Sequence, residues 1–183
     1  MKKILVTIST LLVSFSALAQ GTIQFSTFNS ARGVNAPVMA PDGTGAGVLF
    51  PGMTAQLFMV GPGGAYTPLT PATTFNPGPG AASRYVVIPT SNVIVPGVPA
   101  GGSATIVMRI FTGASWDQSL GFRGETAPVV VNNLGGTPAS GGAPLQPAVL
   151  AGLQGITIPE PATVALGLLG TAALLFRRRA TIS

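Results

Sequence analysis

Neither histidine nor cysteine occurs in this chain. That removes the imidazole base of nucleophilic triads, the reactive thiolate, and the usual ligands of zinc. Between Gln20 and Ile158 the only carboxylates are Asp42, Asp117 and Glu125. Paired-carboxylate hydrolysis needs two such groups held across one bond, and Asp117 and Glu125 instead flank Arg123 in "WDQSLGFRGE", which reads as a loop salt bridge. The segment "PDGTGAG" at 41–47 offers one carboxylate where a Ca²⁺ loop wants several oxygen ligands, so it reads as an Asp-Gly turn. "GPGG" and "GTGAG" lack the lysine and the strand-to-helix context of a phosphate loop. The expected chemistry is therefore non-enzymatic, without cofactor or metal.

Binding asks less of a sequence. Trp116, Tyr66 and Tyr85 present apolar ring faces with a polar handle, the equipment for stacking on sugars. The same three residues are also about what a core and its edges would use. Scarce charge and many small residues suit a structural component that needs no site, which is the expected role, with a sugar-binding module as the alternative.

The two ends carry the charge. Arg32, Arg84, Arg109 and Arg123 nearly balance the three acids of the middle, while Lys2 and Lys3 open the chain and Arg177, Arg178 and Arg179 nearly close it. Four scattered arginines make no phosphate-binding face, so nucleic acid is not an expected partner. The opening "MKKILVTISTLLVSFSALAQ" has the charged, apolar and small-residue regions of a secretory signal peptide. Signal peptidase is expected to cut after Ala17-Leu18-Ala19, leaving Gln20 first.

Near the other end, Pro159-Glu160-Pro161 precedes 15 residues without a charge, 162–176, and then the arginines. A helix over 162–176 covers roughly 22 Å, a thin transmembrane span when the arginines snorkel. The arginines act as a stop signal and stay cytoplasmic, leaving Glu160 outside. The two prolines hold Glu160 extended, in a form that an enzyme can bind as a strand.

This order resembles the PEP-CTERM sorting signal of Gram-negative bacteria, carried by Pro159, Glu160 and Pro161, by "ATVALGLLGTAALLF", and by Arg177 to Arg179. The resemblance implies recognition by an exosortase, a membrane-embedded cysteine protease or transpeptidase of which this chain is the substrate. It also implies export across the inner membrane, a membrane-anchored precursor, and a destination at the cell surface or outside. Proteins of this class often accompany exopolysaccharide, which gives a carbohydrate-binding module its natural ligand.

What must position any site is the segment 20–158. Short apolar runs with alternation recur there: "GTIQFSTF" (21–28), "MTAQLFMV" (53–60), "RYVVIP" (84–89), "SNVIVPG" (91–97), "SATIVMRIF" (103–111), "APVVV" (127–131) and "LQGITI" (153–158). Each lies beside Gly or Pro punctuation, and none has a helical period with caps. About seven strands predict an all-β fold, an antiparallel β-sandwich of jelly-roll or immunoglobulin-like type. The expected organisation is a signal peptide over 1–19, a cargo domain over 20–158 with a flexible loop at 132–147, and the sorting signal over 159–183. The exported protein is expected to begin at Gln20. Intact-mass measurement checks this, and a product retaining Lys2 and Lys3 would count against the signal peptide.

Overall fold

The computed structural model describes residues 20–119 and 121–158. The expected signal peptide and the sorting segment, with its apolar helix at 162–176, lie outside the described residues. Within them the chain is mostly β, with antiparallel sheets and little helix.

Two seven- and eight-residue strands organise the rest: β5 (Thr54–Val60) and β9 (Ala104–Phe111). They pair antiparallel from Thr54 opposite Phe111 to Met59 opposite Ile106. Side chains alternate across a strand, so Ala55 and Leu57 share one face with Ile106, Met108 and Ile110, all buried in a common apolar cluster. The opposite face holds Phe58, Val107 and Phe111, also buried, together with Gln56 and Arg109. A pair covered on both sides reads as a nearly continuous apolar run, as "LFMV" and "TIVM" do.

Each flank of this pair is built from two short strands laid end to end. On β5 these are β6 (Tyr66–Pro68) and β7 (Thr73–Thr74). On β9 they are β10 (Arg123–Glu125) and β11 (Val129–Val131). Glu125 opposes Arg109 while Val129 opposes Ile106, so this flank gains one residue between its halves. Thr126 bridges the irregularity: Met108 N–H donates to its hydroxyl at 3.0 Å, and its own N–H donates to Met108 O at 3.0 Å. A buried backbone donor thereby keeps a partner where the ladder shifts.

A second antiparallel pair, β1 (Gln20–Ile23) and β8 (Val93–Pro99), sends Ile23, Val93 and Val95 into the same cluster. Two small pairs complete the strands. One joins β2 (Phe28–Asn29) to β3 (Val34–Asn35). The other joins β4 (Val38–Met39) in parallel to β12 (Ile156–Thr157). The single-turn helix α1 (Ala46–Leu49) and short 3₁₀ turns make up the helical part.

The expected runs hold over most of their length as β5, β8, β9 and β11, hold in part for "GTIQFSTF" (β1 and the start of β2) and "LQGITI" (β12), and fail for one, "RYVVIP". "RYVVIP" makes one bridge, Phe75 with Val86, after the 3₁₀ turn Ala81–Arg84. The two backbone bonds of that bridge run from Asn76 N–H to Tyr85 O at 3.0 Å and from Val87 N–H to Thr74 O at 2.8 Å, and the side-chain amide of Asn76 adds bonds to the carbonyls of Tyr85 and Val86 at 3.0 and 3.2 Å. "GTIQFSTF" leaves the sheet after Ile23. There Ser26 Oγ donates to Phe28 O at 2.7 Å and accepts from Phe28 N–H at 3.3 Å, a local alternative to strand pairing.

The glycine-rich stretch 132–147 is tied to the domain at both ends. Leu134 is buried, Gly135 exchanges two backbone bonds with Thr22, and Gly136 exchanges two with Leu145. A Cβ on Gly135 would stand 2.4 Å from Pro147 Cα, so this crossing needs glycine.

Replacing Thr126 with Val keeps the shape but strands the buried Met108 N–H. In urea titration of the 20–158 domain it is expected to cost about 1–3 kcal/mol, while Thr126→Ser costs less. Equal losses would mean that the methyl, not the hydroxyl, matters.

Candidate functional site

Arg109 leaves the middle of β9 on the face opposite the main cluster and brings its guanidinium within 5 Å of three ring centres. Its guanidinium carbon is 3.7 Å from the Tyr66 ring centre, 4.6 Å from Trp116 and 4.8 Å from Phe58. β6 brings Tyr66, β5 brings Phe58, and the loop after β9 folds back to bring Trp116, whose ring meets Phe111 edge-on at 6.3 Å. Glu125, directly across from Arg109 on β10, receives Nε at 2.5 Å, and the Tyr66 hydroxyl donates to its other oxygen at 3.3 Å. Arg123 stands 5.4 Å from the Trp116 ring centre. The long arginine stem thus roofs buried apolar surface while its charge meets ring faces and a carboxylate.

Two of the sequence-predicted sugar residues, Tyr66 and Trp116, therefore share one cluster, with a guanidinium between them. The ion pair uses Arg109 where the sequence suggested Arg123. A charged residue on a strand face shared with Val107 and Phe111 was the signal available for this, since such a residue must find a partner or cover a neighbour.

Tyr85, the third sugar residue, belongs to a different cluster. It packs on Phe28 with ring centres 4.8 Å apart, and its hydroxyl donates to Asn35 Oδ1 at 2.9 Å. The two rings line an apolar groove of about 620 Å³ together with Ser26, Asn76, Val86 and Ile88. Asp42 forms the expected turn: both carboxylate oxygens accept from Thr44, backbone N–H and hydroxyl, each at 2.8 Å. The backbone bond and then the hydroxyl bond hold its carboxyl below the usual Asp value. Among the described residues no three His, Cys, Asp or Glu side chains gather as metal ligands.

At the chain's exit, Ile156 N–H donates to Pro37 O at 3.0 Å and Ile158 N–H to Met39 O at 2.7 Å. Ile158 is only 2% exposed. Pro159, Glu160, Pro161 and Arg177 to Arg179 lie outside the described residues, as do Ala17 and Ala19; Gln20 opens β1. Among the described residues no helix is long and apolar enough to cross a membrane.

Residues 157–179 match the family model of the PEP-CTERM protein-sorting motif. No curated protein and no solved structure matches the chain. The motif supports an exported protein sorted by an exosortase-type enzyme, with a membrane-associated precursor. The match begins at Thr157, inside β12, so it overlaps the last described strand.

Arg109→Ala is expected to destabilise the 20–158 domain by about 2 kcal/mol through lost stacking and cover. Glu125→Ala should cost less than about 1 kcal/mol, as an exposed ion-pair partner does. Trp116, the only tryptophan, reports the first change by a red shift in its emission. Equal losses would make the ion pair the stronger contact.

Proposed function

We propose that this chain is a non-enzymatic structural component of the cell surface or extracellular matrix, carried there by its C-terminal signal. The observation that carries the reading is the sorting-motif match at residues 157–179. Signal peptidase releases Gln20, and the apolar segment holds the precursor in the inner membrane with Arg177, Arg178 and Arg179 on the cytoplasmic side. An exosortase-type enzyme then acts at Pro159-Glu160-Pro161 and frees or transfers the cargo.

The cargo in this reading is a two-layer β-sandwich. Support comes from the common burial of Ile23, Val93 and Val95 with Leu57, Ile106 and Met108, which joins the β1–β8 pair to one face of the main sheet. A structural role, rather than a carbohydrate-binding module for exopolysaccharide, draws support from the use of the aromatic rings. Tyr66 and Trp116 are engaged with Arg109, and Tyr85 is engaged with Phe28 and Asn35. Saturable binding on a glycan array, lost with Trp116→Ala, would replace this reading by the module.

A chain stopped after Ile158 tests the sorting step. It is expected to be exported, to fold, and to show no membrane-bound form, because the core among the described residues is assembled from 20–158, with Ile158 buried at its end. The full chain should pass through a membrane-bound precursor, and Glu160→Ala should leave that precursor in place while blocking its processing. Fractionation followed by intact-mass measurement reads all three. Aggregation of the stopped chain would show that the apolar segment belongs to the fold, and the reading would fail.

A further inference from the structure

We propose that the mature chain carries no primary amine: Gln20, once released, closes on itself to pyroglutamate, and the chain can then be a donor but never an acceptor of transferred groups. The proposal rests on the signal-peptide and sorting reading and adds a chemical end state to it. Lys2 and Lys3 are the only lysines of the 183 residues, and both precede Gln20. Removal of the signal peptide therefore leaves the α-amine of Gln20 as the one primary amine. The arginines do not replace it, because a guanidinium stays protonated at neutral pH and is no nucleophile.

The fold holds this amine where a second molecule reaches it poorly. Gln20 opens β1 half-buried, opposite Pro99 and just before the register shift of the β1–β8 pair. The strand is clamped there: a Cβ on Gly21 would stand 2.6 Å from Leu134, and one on Gly136 would stand 2.7 Å from the Gln20 carbonyl oxygen. The first residue of the mature chain thus lies within the fold, with no arm in front of it to enter the site of a transferase. Its side chain is less constrained. Gln56 and Gln154 spend their amides on Leu69 O and Gly152 O, whereas among the described residues the Gln20 amide has no hydrogen-bond partner.

Ring closure needs no co-reactant. The α-amine, with an ordinary pKa of about 8, is partly neutral at neutral pH and attacks Cδ of its own side chain. A bond from the α-nitrogen to Cδ forms, the bond from Cδ to Nε2 breaks, and ammonia leaves with the proton that the amine gives up. Both groups belong to one residue, so proximity favours the step. The product is a lactam, neither charged nor nucleophilic. An acyl group held on the cysteine of a transpeptidase passes to an amine or to water. With no amine on this chain, copies cannot be joined to one another, and the acceptor is water or a molecule of another kind.

Exported protein from cells expressing the full chain is unfolded in guanidinium chloride and treated with an amine-reactive succinimidyl ester, and its N-terminal peptide is weighed before and after. The expected mass lies about 17 Da below that of a chain opening with Gln20, the loss of one ammonia, and no label is taken up. Gln20→Ala, which cannot cyclise, should take up one label at its α-amine. A labelled Gln20 α-amine on the unaltered chain, or a bond from that amine to another polypeptide, overturns the proposal while the signal-peptide and sorting reading stands. Label on Lys2 or Lys3, or an N-terminus other than residue 20, means that the expected cleavage is wrong, and the proposal falls with it.

Discussion

The ladder between β5 and β9 is the constraint on which the domain depends. It is the only long pairing among the described residues, and it is covered on both sides. One side meets the main apolar cluster, and the other is closed by Arg109, Trp116 and Tyr66. The short strands are too brief to persist alone, since fixing each residue costs roughly 1–2 kcal/mol of backbone entropy. They add to an edge already in place: β6 and β7 along β5, β10 and β11 along β9. The glycines and prolines that keep these additions short would disrupt a central strand, but at the margins they set turns and close crossings.

Scarce charge then acquires a structural meaning. A face with few polar residues needs some other boundary with water, and Arg109 supplies it with its stem and planar head. Each partner of that guanidinium comes from a different element, so β5, β6, β9, β10 and the loop after β9 are fastened at one point. Among the described residues no buried side-chain nitrogen or oxygen lacks a hydrogen-bond partner. Thr27 illustrates how few polar groups are needed: fully buried, it receives Val86 N–H on its hydroxyl and Ala36 N–H on its carbonyl. One residue joins three separate stretches of chain.

Much of this was legible in the sequence wherever one physical signal dominated. Alternation in "SATIVMRIF" marked β9 and the face it buries, and apolar runs marked β5, β8 and β11. Two-residue strands such as β2, β3 and β7 carry no period of their own and exist because a neighbour holds them. "RYVVIP" had strand composition, yet it makes a single bridge, at Val86, directly after a 3₁₀ turn that a hydrophobicity pattern does not register. The aromatic residues were legible as a set but not as a grouping. Tyr66 and Trp116 come together only because β9 places Arg109 between the loop and β6, while Tyr85 is drawn to Asn35 through the β2–β3 pair. The sorting motif was legible outright because its signal is an ordered string and needs no tertiary context.

The parallel pairing of β12 with β4 has a mechanical side. Tension on the chain beyond Ile158 enters the domain along β12, whose hydrogen bonds to Pro37 and Met39 run across the line of pull. Those bonds are then loaded together, in shear, rather than opened one after another like a zip. Ile158, seated in the core just before the exit, acts as a stopper whose removal exposes about 1.5–3 kcal/mol of apolar contact. A fold that ends this way can be tugged by its tether without fraying from that end.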